Sequence, residues 1–144
     1  MSHVADMGLE IHSLDALKEA CKLLGLEFCE NQTTFRWYGQ HVGDWPLPAG
    51  FKKQDMGKCL HVIKIPNNSQ AYQVGVAKNP LGPGYSLLWD FWAGGYGLQE
   101  KIGANGILLK QAYTMARTKK ELEKKGYRTL MKKKQNGTMR LETF

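Results

Sequence analysis

Leu60-His61-Val62-Ile63-Lys64-Ile65-Pro66-Asn67-Asn68-Ser69-Gln70-Ala71-Tyr72-Gln73-Val74-Gly75-Val76-Ala77 is the stretch that decides the class of fold. Its two apolar, β-branched runs, 60–65 and 71–77, flank Pro66-Asn67-Asn68-Ser69. Proline presets the dihedral that opens a turn, and asparagine tolerates left-handed backbone and bonds to its own main chain. The stretch therefore predicts an antiparallel hairpin. Downstream, Asn79-Pro80-Leu81-Gly82-Pro83-Gly84 reads as a second turn, and Tyr85–Trp92 as an apolar strand ending at Ala93-Gly94-Gly95-Tyr96-Gly97. Upstream, 26–30 and 33–38, rich in aromatic and β-branched residues around Asn31-Gln32, predict another hairpin.

Two helices interrupt this run of strands. Val4–Ile11 reads as a short first strand with a bulge at Gly8, after which Ser13 is placed to cap a helix. Leu14, Leu17, Cys21 and Leu24 recur at helical spacing, Asp15 falls in the electropositive first turn, and Gly25 stands where the helix should end. A second helix is expected to begin between Leu98 and Ile107. Gly103 and Gly106 each weaken it by nearly 1 kcal/mol relative to alanine, roughly, so a short helix should break into a long one. Leu108, Ala112, Met115 and Leu122 then mark an apolar face, and Gly126 ends it. The last 18 residues predict a hairpin around Asn136-Gly137, a strong two-residue turn signal. That register sets Lys133 opposite Arg140 and assigns Leu130, Met139 and Leu141 to the core face. The order β-α-β-β-β-β-β-α-β-β implies a single α+β domain over residues 1–144. Its sheet is antiparallel and built from hairpins, with two helices packed mostly on one face.

At 144 residues and 42% hydrophobic content, the chain has enough apolar material for a core that needs neither disulfides nor metal. No run of 18 apolar residues occurs, so no membrane span is expected. Met1-Ser2-His3-Val4-Ala5-Asp6 lacks the blocks of a secretory signal, and three cysteines are an odd number without paired spacing. Reduced thiols in a cytoplasm, that of an infected host included, or in a plastid stroma are the expectation. The net charge of +7 is unevenly spread. Residues 1–100 carry 8 Lys and Arg against 10 Asp and Glu, a net −2, whereas residues 101–144 carry 12 against 3, a net +9. The field of the molecule thus comes from its last third.

Both ends of the chain carry short motifs in a consistent order. Met1-Ser2-His3 and the helix 14–25 open it; Leu109-Lys110-Gln111-Ala112-Tyr113, Glu123-Lys124-Lys125-Gly126-Tyr127 and Asn136-Gly137-Thr138-Met139-Arg140-Leu141 close it. In these residues the chain resembles the domain-of-unknown-function family twelve-fifty-seven. That family includes the hypothetical chloroplast frame thirty-five-like proteins of plastids and cyanobacteria, with relatives in phages. The resemblance implies a small cytosolic or stromal α+β protein. It transfers no catalytic residue, and it leaves residues 39–106 largely unmatched.

The basic tail supplies the candidate binding residues: Arg117, Lys120, Lys124 and Lys125 on the helix, and Lys132, Lys133, Lys134 and Arg140 on the hairpin. Phosphates would bring such charges together. Equally, lysines solvate a surface and blunt an exposed strand edge, and no aromatic platform is interleaved with these charges along the chain. Trp45, in the long 39–58 loop, is a candidate contact residue for a protein partner, because buried tryptophans dominate interfaces. Cys59 and His61, two apart on a strand, would point the same way as metal ligands do, yet no Cys-x-x-Cys or His-x-x-x-His spacing accompanies them. No metal or other cofactor is therefore expected. Asp90 is expected on the exposed face of its strand. Neither Gly82-Pro83-Gly84 nor Gly94-Gly95-Tyr96-Gly97 fits a phosphate-loop template. The leading expectation is a non-enzymatic accessory protein whose basic helix and hairpin contact an anionic partner, nucleic acid first. The alternatives are a protein–protein adaptor or phage-type inhibitor acting through the 39–58 loop, and a small-ligand binder or enzyme using that loop, Asp90 and the 93–97 turn.

Overall fold

The computed structural model describes residues 4–40, 46–135 and 139–144. Along the chain run β1 (Val4–Asp6), α1 (Leu14–Leu23), β2 (Glu27–Glu30), β3 (His61–Lys64), β4 (Val74–Lys78) and β5 (Tyr85–Asp90). A short α2 (Leu98–Ile102), the long α3 (Ile107–Lys124), β6 (Thr129–Lys133) and β7 (Met139–Thr143) follow. The first five strands form one antiparallel sheet in the order β1-β5-β4-β3-β2, and β6 and β7 form a separate two-stranded ribbon. The fold is the α+β arrangement expected, with the helices against one face of the sheet.

The deciding hairpin is β3–β4, with Val62 paired to Gly75. Alternation along the strands sends Ile63, Val74, Val76, Leu87 and Trp89 toward the helices. There they meet Ala16, Leu17, Ala20, Cys21 and Leu24 of α1, Leu98 and Ile102 of α2, and Leu109, Ala112, Tyr113 and Ala116 of α3. Ser13 caps α1 as expected, its Oγ accepting from the Ala16 N–H at 3.1 Å. The buried face of α3 runs through Leu109, Ala112, Tyr113 and Ala116; Leu108, Met115 and Leu122 are only half-buried. The sequence pattern misplaced this face because small alanines fill it and larger apolar residues flank it.

The opposite face of the sheet is also covered, by irregular chain. Val4, Val62, Ala77 and Leu88 pack there against Phe35 and Met56, with Trp37, Leu47 and Phe51 beside them. Gly75 makes this possible: a Cβ at that position would lie 2.3 Å from Phe35 Cδ1, so the ring rests directly on the backbone of β4. The 33–38 stretch is therefore no strand of a hairpin with 26–30. Instead β2 pairs with β3, Cys29 opposite Val62, while Thr34 makes a lone bridge to Lys58. Phe35 gains more by lying on Gly75 than by continuing a ladder. The first strand is likewise shorter than expected, since Gly8, at φ +74°, turns the chain, and Ile11 returns only as an isolated bridge to Tyr85.

Candidate functional site: the basic ribbon and the end of α3

The ribbon register differs by one residue from the expected one. Lys132 lies opposite Arg140 and Lys133 opposite Met139; Asn136-Gly137 itself falls outside the described residues. A slip of one residue turns one strand over relative to its partner, here β6. Met131 therefore packs against the main core, whereas Leu130, expected inside, is 42% exposed.

The outward face carries, in cross-strand pairs, Lys132 with Arg140, Leu130 with Glu142, and Arg128 with Phe144. The last pair continues the ladder, the Phe144 N–H donating to the Arg128 carbonyl at 3.0 Å. Lys132 and Arg140, like charges directly opposite, would repel. Glu142 relieves this, its carboxylate lying 3.7 Å from Lys132 Nζ and 3.2 Å from Arg140 Nε. Three cations against one carboxylate remain, beside a phenyl ring that is 70% exposed. Arg128 and Phe144 were missed in the sequence. They stand 16 positions apart, and only the ladder makes them neighbours.

The helical cations separate into groups. Arg117 is drawn to Tyr113, Nη1 donating to the phenol oxygen at 3.1 Å with the guanidinium 5.9 Å from the ring centre. The same oxygen accepts the N–H groups of His12 and Ser13 at the start of α1, at 2.9 and 3.2 Å. Lys119 is bound by Glu19 at 2.6 Å and by Glu123 at 3.7 Å, and the Glu19 carboxylate raises its pKa. Lys120, Lys124, Lys125 and Lys134 make no ion pair among the described residues. Lys124 and Lys125 lie exposed at the end of α3, where the chain turns through Gly126 into the ribbon. The structure thus joins Lys124 and Lys125 through this turn to the ribbon that carries Lys132 and Arg140, and leaves Arg117 at the start of α1.

The other candidate groups are engaged structurally. Asp90, expected on an exposed face, is fully buried, because β5 is covered on both sides; its two oxygens accept from the N–H groups of Tyr38 at 3.2 Å and Trp92 at 3.0 Å. The 93–97 turn is left-handed throughout, with φ of +53°, +64°, +67°, +53° and +109°. That explains its three glycines. A groove of about 460 Å³ lies along 50–51, 55, 58–60 and 77–80, away from Asp90 and from this turn. Cys59 and His61 do not converge. Cys59 packs with the loop-side cluster, its Sγ directed at the Gln32 carbonyl at 3.3 Å, while His61 stacks near Phe28 and Tyr85, which pack toward the helices. No group of three potential metal ligands occurs among the described residues. Burial pushes the Cys21 thiol up to about 12 and the Cys59 thiol up to about 11, so both stay protonated at neutral pH. Trp45 lies outside the described residues, and residues 46–58 of its loop lend Leu47, Phe51 and Met56 to the sheet cover.

By fold and surface the protein is an α+β domain with an appended basic ribbon, and no helix of its described residues is long and apolar enough to cross a membrane. No family model, curated protein or solved structure matches the chain.

Proposed function

We propose that the protein is a non-enzymatic binding protein that holds nucleic acid on its C-terminal ribbon and the adjoining end of α3. The observation that carries this is the ribbon's outward face, on which Arg128, Lys132 and Arg140 face a single carboxylate, with Lys124 and Lys125 next along the chain. Glu142 bridges Lys132 and Arg140 and offsets one of the charges, so the face stays net positive. Phosphates bound by about six such charges would release their counterions. Affinity for a generic oligonucleotide should then fall roughly 10³-fold between 50 and 200 mM salt. Binding that is absent at about 50 mM salt, or that does not change with salt, refutes the proposal.

A further inference from the structure

Resting on that reading, we infer that the ligand of the ribbon is single-stranded nucleic acid, one base of which lies on the ring of Phe144. The inference comes from the composition of one face. Its cross-strand pairs set a phenyl ring opposite an arginine, and a leucine opposite the glutamate that ties Lys132 to Arg140.

Proteins that hold unpaired strands without strong sequence preference combine a basic track for the phosphates with aromatic rings for the bases. Both parts are present here on one face of the ribbon. Arg128 and Lys132 are four positions apart, about 14 Å at the usual rise per residue of a strand. The phosphate cations thus bracket the apolar middle formed by Leu130, with Phe144 beside Arg128 at one end.

A duplex fits this face less well. In a double helix the flat surfaces of the bases are covered by their neighbours, so Phe144 and Leu130 would meet sugar and phosphate and gain little. Glu142 would also face a continuous row of phosphates. With an unpaired strand, bases can be turned toward the ribbon, where a carboxylate can accept a hydrogen bond from the exocyclic amino group of cytosine. The inward face offers no such surface, since Met131 is packed against the core.

The test is equilibrium binding of the full chain to fluorescein-labelled single-stranded 12-mers, one DNA and one RNA, and to a 12-base-pair duplex, at about 100 mM salt. At least one single strand should bind roughly tenfold or more tightly than the duplex, and the two arms tell which sugar is preferred. Phe144→Ala should weaken single-strand binding by about 5- to 100-fold, the range set by one base–ring stack. It should leave duplex binding and the melting temperature unchanged, because the ring is exposed. Phe144→Trp should retain single-strand affinity, whereas Phe144→Leu, apolar but without a π-face, should lose it. Equal binding of strand and duplex, or an unaltered Phe144→Ala variant, overturns the inference while the nucleic-acid function stands. No binding of any probe at 50 mM salt overturns both.

Discussion

Replacing Gly75 by alanine should destabilise the protein, and the sign is informative because the usual expectation is the reverse. A glycine in the middle of a strand is less favourable than alanine by roughly 0.5–1 kcal/mol. Gly75 lies inside β4 without a positive φ, so the backbone itself would welcome alanine. The obstacle is Phe35: the new Cβ would lie 2.3 Å from its Cδ1, 2.6 Å from its Cε1 and 3.1 Å from its Cγ. Carbon atoms prefer about 3.5–4.0 Å, so the ring must retreat by more than 1 Å, roughly. It is only 4% exposed and shares its cluster with Met56, Val62 and Leu88. Overpacking of this kind costs about 1–3 kcal/mol. Net of the backbone gain, a loss of about 1–2 kcal/mol is expected, or several degrees in melting temperature at this chain length. Urea unfolding of wild type, Gly75→Ala, Phe35→Ala and the double variant measures it. Phe35→Ala alone should cost about 3–5 kcal/mol. In that background Gly75→Ala should become mildly stabilising. A stabilising Gly75→Ala in the wild-type protein, or an effect of the same sign and size with and without the ring, would refute the packing of Phe35 on β4.

Two further outcomes follow from buried polar groups and thiols. Tyr113→Phe removes the one acceptor that serves the N–H groups of His12 and Ser13 and the Arg117 guanidinium. Thermal unfolding should show a loss of roughly 1–3 kcal/mol, and a variant as stable as wild type would show that water replaces the phenol. For the thiols, the thiolate is the reactive form. With folded-state values raised to about 12 and about 11, Cys21 and Cys59 hold almost none of it at pH 8. An aromatic disulfide reagent should therefore label Cys29 before Cys21, because Cys29, though its thiol is also raised, is half-buried whereas Cys21 is fully buried. Labelling of Cys21 should wait for urea, and its prompt reaction in the native protein would contradict its burial.

How much of this was legible in the sequence depends on whether local pattern or distant contact decided each element. The β3–β4 hairpin, the Ser13 cap and the breaking of the second helix near Gly103 and Gly106 follow from neighbouring residues, and the structure has them as expected. The 33–38 stretch has the composition of a strand, but Phe35 finds its place on a glycine 40 positions away, which no local pattern announces. Asp90 was placed outside because an acid in a strand is usually solvated. Its burial needs the N–H groups of Tyr38 and Trp92, and the first of these arrives from the other end of the irregular layer.

For the candidate site the decisive quantity was a register. Leu130 and Met131 are adjacent and both apolar, so the sequence alone does not say which of them turns inward. A two-residue turn at Asn136-Gly137 would have sent Leu130 in and paired Lys133 with Arg140; the observed register sends Met131 in and pairs Lys132 with Arg140. The same shift decides what accompanies the charge. It sets Lys132, rather than Lys133, beside Arg140 and Glu142, and it carries Phe144 to Arg128. The net +9 of residues 101–144 is accordingly several local fields. Lys119 is held by Glu19 and Glu123, Arg117 by Tyr113, and the ribbon cations stand beside an exposed ring. A solvated lysine face needs no aromatic neighbour and gains nothing from one. A face that binds unpaired bases needs one, which is why Phe144, rather than any lysine, separates the two explanations of the basic tail.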